Sequence, residues 1–168
     1  MEGKRGLTML EILAIGIKSE IDAVRLYTRM KEMAESGDLK EKMDFLISQE
    51  KKHEKILKEV YDKKFPEVAL ALPPKSIVPL IDNALEGEAT MRQLFEVAMK
   101  AEKLAEKYYR DLAGKTTDSN AKSILVYMAG MEQSHYAILE AEFRQMEMLK
   151  TETAGRFLDS EGLMNIGP

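Results

Sequence analysis

The chain has 168 residues, with 25 Lys and Arg against 29 Asp and Glu and a formal net charge of −4. That balance, without any long basic block, argues against nucleic acid as a partner. No stretch approaches the run of about 18 apolar residues that a transmembrane helix needs, so no membrane partner is expected either. There is no cysteine, which excludes disulfides, thiolate metal sites, iron–sulfur clusters and thiol catalysis. The start, Met-Glu-Gly-Lys-Arg-Gly, lacks the apolar stretch of a secretory leader, and a cytoplasmic location is expected. At this length one domain over 1–168 can bury a real core.

Taken in chain order, the pattern predicts a first helix from about Leu7 to Ala34, with Thr8-x-x-Glu11 as a capping box at its start. Ser36-Gly37-Asp38 ends it and caps a second helix, about Leu39 to Tyr61. Together these form a first hairpin over about 7–62. The segment of about 65–87 holds Pro66, Pro73, Pro74 and Pro79 and cannot be one helix, although Ile77 to Leu85 could form a short one. It is too long for a tight turn and reads as a crossover running the length of a bundle. A third helix begins near Thr90-x-x-Gln93 and ends at Gly114. Thr117-Asp118-Ser119 caps a fourth, which runs to about Lys150 and completes a second hairpin over about 88–150. The tail, 151–168, with Phe157, Leu158, Leu163 and Met164, is expected to dock as a small extra helix. Short, long, short is the loop pattern of an all-α, ferritin-like four-helix bundle.

The two hairpins are copies of one another. The chain has only two histidines, His53 and His135. Each follows a glutamate by three residues (Glu50, Glu132) and another by 33 (Glu20, Glu102), so the whole pattern recurs at an offset of 82. The same offset pairs Thr8 with Thr90, Met9 with Met91, Lys18 with Lys100, Ala23 with Ala105, Tyr27 with Tyr109, and Ile56-Leu57 with Ile138-Leu139. In an antiparallel hairpin, level residues average to the turn. Glu20 with His53, and Glu102 with His135, both do so, at about 25 Å from their turns. Glu50 and His53 share a helix face, as do Glu132 and His135.

The four glutamates lie on the apolar stripes. Buried carboxylates are costly unless paired, protonated or metal-bound. Four carboxylates and two imidazoles form a ligand set for two transition-metal ions, with iron, manganese or zinc suited to those donors. Glu50 and Glu132 are expected to bridge the ions, Glu20 and Glu102 to be terminal, and His53 and His135 to cap opposite metals. The competing reading is a metal-free polar network in the core. Tyr27 and Tyr109, two turns beyond Glu20 and Glu102, are expected to hydrogen-bond the ligands or to act as redox-active phenols. Glu106, one turn after Glu102, has Val24 as its counterpart. It reads as a surface residue, with a seventh ligand as the alternative.

These residues resemble the ferritin-like di-iron carboxylate superfamily, and most closely the rubrerythrin family, over about 7–150. The resemblance implies two iron ions and reduction of hydrogen peroxide by an external electron donor such as a rubredoxin. It also implies a homodimer. Two departures stand out. The chain lacks the four-cysteine rubredoxin centre of full-length rubrerythrins, and Ala105 stands where they carry an extra glutamate. The symmetric set is equally similar to a bacterioferritin-type ferroxidase centre, which implies dioxygen and iron handling as the alternative. A non-catalytic metal-binding scaffold is the third reading.

Overall fold

The structure is a computed structural model that describes residues 7–75 and 79–162. Side chains are described for 7–75 and 81–152. Five helices are present among the described residues, and no strand: α1 (Met9–Met33), α2 (Gly37–Lys64), α3 (Pro79–Glu86), α4 (Met91–Lys115) and α5 (Ser119–Gly162).

The helix starts follow local chemistry. Thr8 accepts from the Glu11 amide while the Glu11 carboxylate accepts from the Thr8 amide, and Thr90 and Gln93 repeat this reciprocal bond at α4. Each box satisfies two amides that the first turn leaves unpaired. Ser36 caps α2 through the Leu39 amide, and Asp118 caps α5 through the Ala121 amide.

Contacts fix the topology. α1 and α2 are antiparallel neighbours, with Lys31 paired to Asp44 near their turn. α4 and α5 are likewise antiparallel, with Phe95 against Phe143 and Arg92 paired to Glu147. Across the bundle, Tyr27 reaches Glu102 and Tyr109 reaches Glu20, so α1 and α4 run in opposite directions. α2 therefore ends at the opposite end of the bundle from where α4 begins, and the intervening chain must travel its length. α3 lies in that crossover and packs on α1 and α4. Its Ile81 and Ala84 are buried with Leu26, Met30, Leu94 and Phe95. Arg29 of α1 anchors it by donating to the carbonyls of Leu85 and Gly87.

The chain differs from expectation after Thr151. α5 continues unbroken from Ser119 to Gly162, about 66 Å at 1.5 Å per residue, in place of a separate small helix. No proline interrupts 119–162, and the isolated Gly130 and Gly155, each at about 1 kcal/mol against Ala, are too weak as breakers to stop a long helix. Since Glu147 already pairs with Arg92 in the first turn of α4, the residues that follow run past the start of α4. The side chains of Phe157 and Leu158, and Leu163, Met164, Ile77 and Val78 altogether, lie outside the described residues.

Two apolar clusters flank the middle of the bundle. One gathers Leu26, Tyr27, Met30, Met43, Leu46, Leu94, Phe95 and Leu139. The other gathers Leu13, Ile17, Leu57, Tyr61, Tyr109, Leu112, Leu125 and Met128. Each fully buried aliphatic or aromatic side chain stabilises the fold by about 1.5–3 kcal/mol relative to exposure. The layer between the clusters is not apolar.

Candidate metal centre

That layer holds Glu20, Glu50, His53, Glu102, Glu132 and His135, none of them more than 3% exposed. One helix supplies each outlying glutamate, and its hairpin partner supplies the Glu-x-x-His pair. The level pairing expected from the turns places them at one height.

The six residues form two overlapping sets. One ligand atom from each of Glu20, Glu50, His53 and Glu132 lie within 4.8 Å of one another, and so do atoms of Glu50, Glu102, Glu132 and His135. Glu50 and Glu132 belong to both sets, Glu20 and Glu102 to one each. This is the division between shared and terminal carboxylates that the sequence suggests. Both histidines turn Nδ1 inward. His53 Nδ1 lies 3.1 Å from Glu50 Oε2, 3.1 Å from Glu132 Oε1 and 3.7 Å from Glu20 Oε2. His135 Nδ1 lies 2.8 Å from Glu50 Oε1, 3.3 Å from Glu132 Oε2 and 3.7 Å from Glu102 Oε2.

Of these approaches only that between His53 Nδ1 and Glu50 Oε2 has the geometry of a hydrogen bond. His135 Nδ1, Glu50 Oε1 and Glu132 Oε1 are buried without a hydrogen-bond partner among the described residues, despite those short separations. Donor atoms crowded together but not aimed at each other suit a cation held between them. Two divalent ions would balance four ionised carboxylates with neutral imidazoles, and the carboxylate–imidazole chemistry fits iron, manganese or zinc.

The electrostatics point the same way. Burial alone would lower His53, but the carboxylates of Glu132, Glu20 and Glu50 more than reverse it and push the imidazole from 6.5 up to about 12. For His135, burial is likewise outweighed, by Glu102, Glu132 and Glu50, with the same result of about 12. Burial, reinforced by the charge of Glu132, drives Glu20 and Glu102 well above the usual carboxylate range. Glu132 goes the other way. Burial opposes its ionisation, but the imidazoles of His135 and His53 close beside it hold it down at about 2. Without an ion the cluster must store protons to offset its own repulsion.

Tyr27 and Tyr109 do contact the site, but across the hairpins. Tyr27 donates its hydroxyl hydrogen to Glu102 Oε1, and Tyr109 donates to Glu20 Oε1. Each phenol thus orients the outlying carboxylate of the other repeat. Glu106 stays outside. It is part-exposed and its Oε1 accepts from Arg110 at 2.8 Å. Ala105 is buried in the core, so no seventh carboxylate enters from that turn.

The sequence reading missed two residues. Asp22 is fully buried and pairs with Lys18 one turn back, with Arg25 at 3.6 Å. Tyr108 packs edge-on against Tyr109, at 5.4 Å between ring centroids, and donates to the Ile12 carbonyl. Burial, helped by the nearby charge of Glu20, pushes its phenol above the ordinary value. Both were visible as breaks in the repeat, since Leu104 and Leu26 stand at the equivalent positions.

Comparison with known proteins agrees with this geometry. The rubrerythrin family model matches residues 11–146. The chain belongs to the rubrerythrin family. Among solved structures it is similar to a hypothetical protein from Pyrococcus furiosus, at 32% identity and a TM-score of 0.73, over 82% of this chain and 89% of that one. It also shares its fold with CopM in the Cu(I)-bound form, at 12% identity and a TM-score of 0.69, over 84% and 99%. No curated protein matches the chain. As expected of a rubrerythrin relative, the chain is an all-α, ferritin-like bundle. No helix among the described residues is long and apolar enough to cross a membrane.

Proposed function

We propose that this rubrerythrin-family protein holds two iron ions on Glu20, Glu50, His53, Glu102, Glu132 and His135 and uses them to reduce hydrogen peroxide with electrons from an external donor. The observation that carries it is the pair of overlapping buried four-residue sets sharing Glu50 and Glu132. When bound, the iron pair would supply the two electrons that peroxide takes up. The protein's part is to fix the ligands, exclude bulk water, and orient Glu20 and Glu102 through the phenols of Tyr109 and Tyr27. With no cysteine in the chain, no rubredoxin centre within it can return the electrons, so a separate donor such as a rubredoxin must.

The absence of a carboxylate at buried Ala105 supports a second reading, a ferroxidase that uses dioxygen to handle iron. Stopped-flow mixing of the anaerobic di-ferrous protein with each oxidant decides between them. Faster oxidation by peroxide is expected. Faster oxidation by dioxygen, together with a hollow assembly of about 24 subunits in light scattering rather than the homodimer we propose, would move the assignment to iron handling.

A further inference from the structure

At the end of the bundle where α1 turns into α2, two features stand side by side that the metal layer does not explain. The first is a cleft of about 710 Å³ between that turn, the start of α4 and α5. Met33, Leu39, Met91, Phe95 and Met146 line it, and Met33 is 40% exposed. The second is the projecting part of α5. Lys42 in the second turn of α2 pairs with Glu142, and Arg92 in the first turn of α4 pairs with Glu147. Both helices run antiparallel to α5, so both begin near the level of Glu147. Residues 151–162 therefore extend past them, by about 18 Å at 1.5 Å per residue. A helix in a protein draws most of its stability from packing an amphipathic face. The sequence of 151–162 offers one, with Ala154, Phe157 and Leu158 at i, i+3 and i+4. Met148, where α5 leaves the bundle, is 62% exposed. Because α5 is unbroken, this segment leads away from the cleft of its own chain and cannot turn back into it.

We infer that the cleft seats the same segment of a second copy of the chain, so that two molecules clasp end to end through residues 151–162 of each. Cleft and projecting helix adjoin at one end of one molecule. A two-fold rotation about an axis near Lys150 that lays one copy's helix over the other's cleft must therefore lay the second over the first, with the two α5 helices antiparallel. The surface is self-complementary in that sense. Each copy covers exposed methionines of the other and gains, for its own last turns of α5, the packing that water does not give. The occupant's length, apolar stripe and direction are all supplied by the chain itself. The inference rests on the homodimer of the proposed function, to which it gives a surface, and it makes no use of the metal ions.

The test uses the full chain in sedimentation equilibrium. The wild type should be a dimer of the 19.1 kDa chain. Phe157→Glu, in the projecting segment, should raise the dissociation constant of the dimer by at least about tenfold, and Met33→Glu, on the cleft wall, should do the same. Tyr127→Glu, at a residue 56% exposed near the other end of α5, should change it by less than about twofold. All three variants should keep the wild-type helical circular dichroism. A loosened fold would not bring the segment of one copy onto the cleft of another. Phe157 is therefore also replaced by p-benzoylphenylalanine, which keeps an aromatic ring. Irradiation should yield a covalent dimer whose cross-link maps by mass spectrometry to 33–39, 91–95 or 142–150 of the other copy. A wild-type dimer that Phe157→Glu leaves intact, or the absence of any cross-link to those cleft walls, overturns this interface and leaves the homodimer standing. A wild type that stays monomeric at high micromolar concentration overturns both.

Discussion

Hairpin one and hairpin two are the same device built twice, and their differences sort by distance from the metal layer. In contact with that layer everything matches: Glu20 and Glu102, Glu50 and Glu132, His53 and His135, Tyr27 and Tyr109. One step outward the copies diverge. Asp22 faces Leu104, Val24 faces Glu106, and Leu26 faces Tyr108. Residues that would bind two like ions must be alike. Residues that hold the bundle together or link it to solvent need not be, and the sequence has been free to vary there.

The strongest way to break this symmetry is to remove a shared carboxylate. Glu50→Ala or Glu132→Ala takes one ligand from both sets, and should abolish stable binding of both ions. Glu20→Ala or Glu102→Ala touches one set and should leave about one ion per chain. Anaerobic Fe²⁺ titration with elemental analysis checks it. Saturation of the wild type at one ion or none would sink the dinuclear centre.

A pH experiment tests both halves together. The imidazoles, held near 12, and the raised carboxyls of Glu20 and Glu102 must give up protons before they can ligate. Metal binding should then release about two to four protons per pair and strengthen as pH rises. Calorimetry in buffers of different ionisation enthalpy measures the number, and a release below about one contradicts it. The metal-free protein should behave differently. Stability from the raised histidines is present below their unfolded value of 6.5 and lost as pH rises toward about 12. Stability from Glu132 is present above 4.5 and lost as pH falls toward about 2. The raised carboxyls of Glu20 and Glu102 oppose folding as they ionise.

Much of this was legible without coordinates. The 82-residue offset, the two histidines and the capping boxes point to the bundle and the cluster because each depends on local spacing, which sequence records directly. What was not legible depends on who packs against whom. That Tyr27 serves Glu102 rather than Glu20 follows from the antiparallel α1–α4 pairing, which no spacing within a hairpin encodes. The unbroken α5 departs from the expected end near Lys150 because the chain there carries no strong breaker, and the absence of a breaker is a weaker signal than its presence.

Finer contrasts sharpen the comparison. Asp22→Asn leaves Lys18 facing a neutral amide in a nearly buried site, and should cost about 1–3 kcal/mol in denaturant unfolding. The mirror change, Leu104→Asn at an exposed position, should stay within about 0.5 kcal/mol. An equal cost for both would mean that Asp22 is not the asymmetric anchor it looks to be. Smallest of all, Thr8→Ala and Thr90→Ala should each cost about 1 kcal/mol, and by matching amounts, since the two boxes share one geometry. Thermal unfolding of the two variants side by side reads the difference.

The overlap of the two ligand sets has a mechanical meaning. Each set draws three members from one hairpin and its fourth from the other. Within the backbone, the hairpins are tied only by the crossover between α2 and α4. Bound ions would therefore act as rivets through the middle of the molecule, in addition to that covalent tie. In a chain cut within 66–75 the apolar clusters would still join the two hairpin fragments, and metal should make their dissociation markedly slower. That dissociation would then follow the rate at which a chelator draws the rivets out.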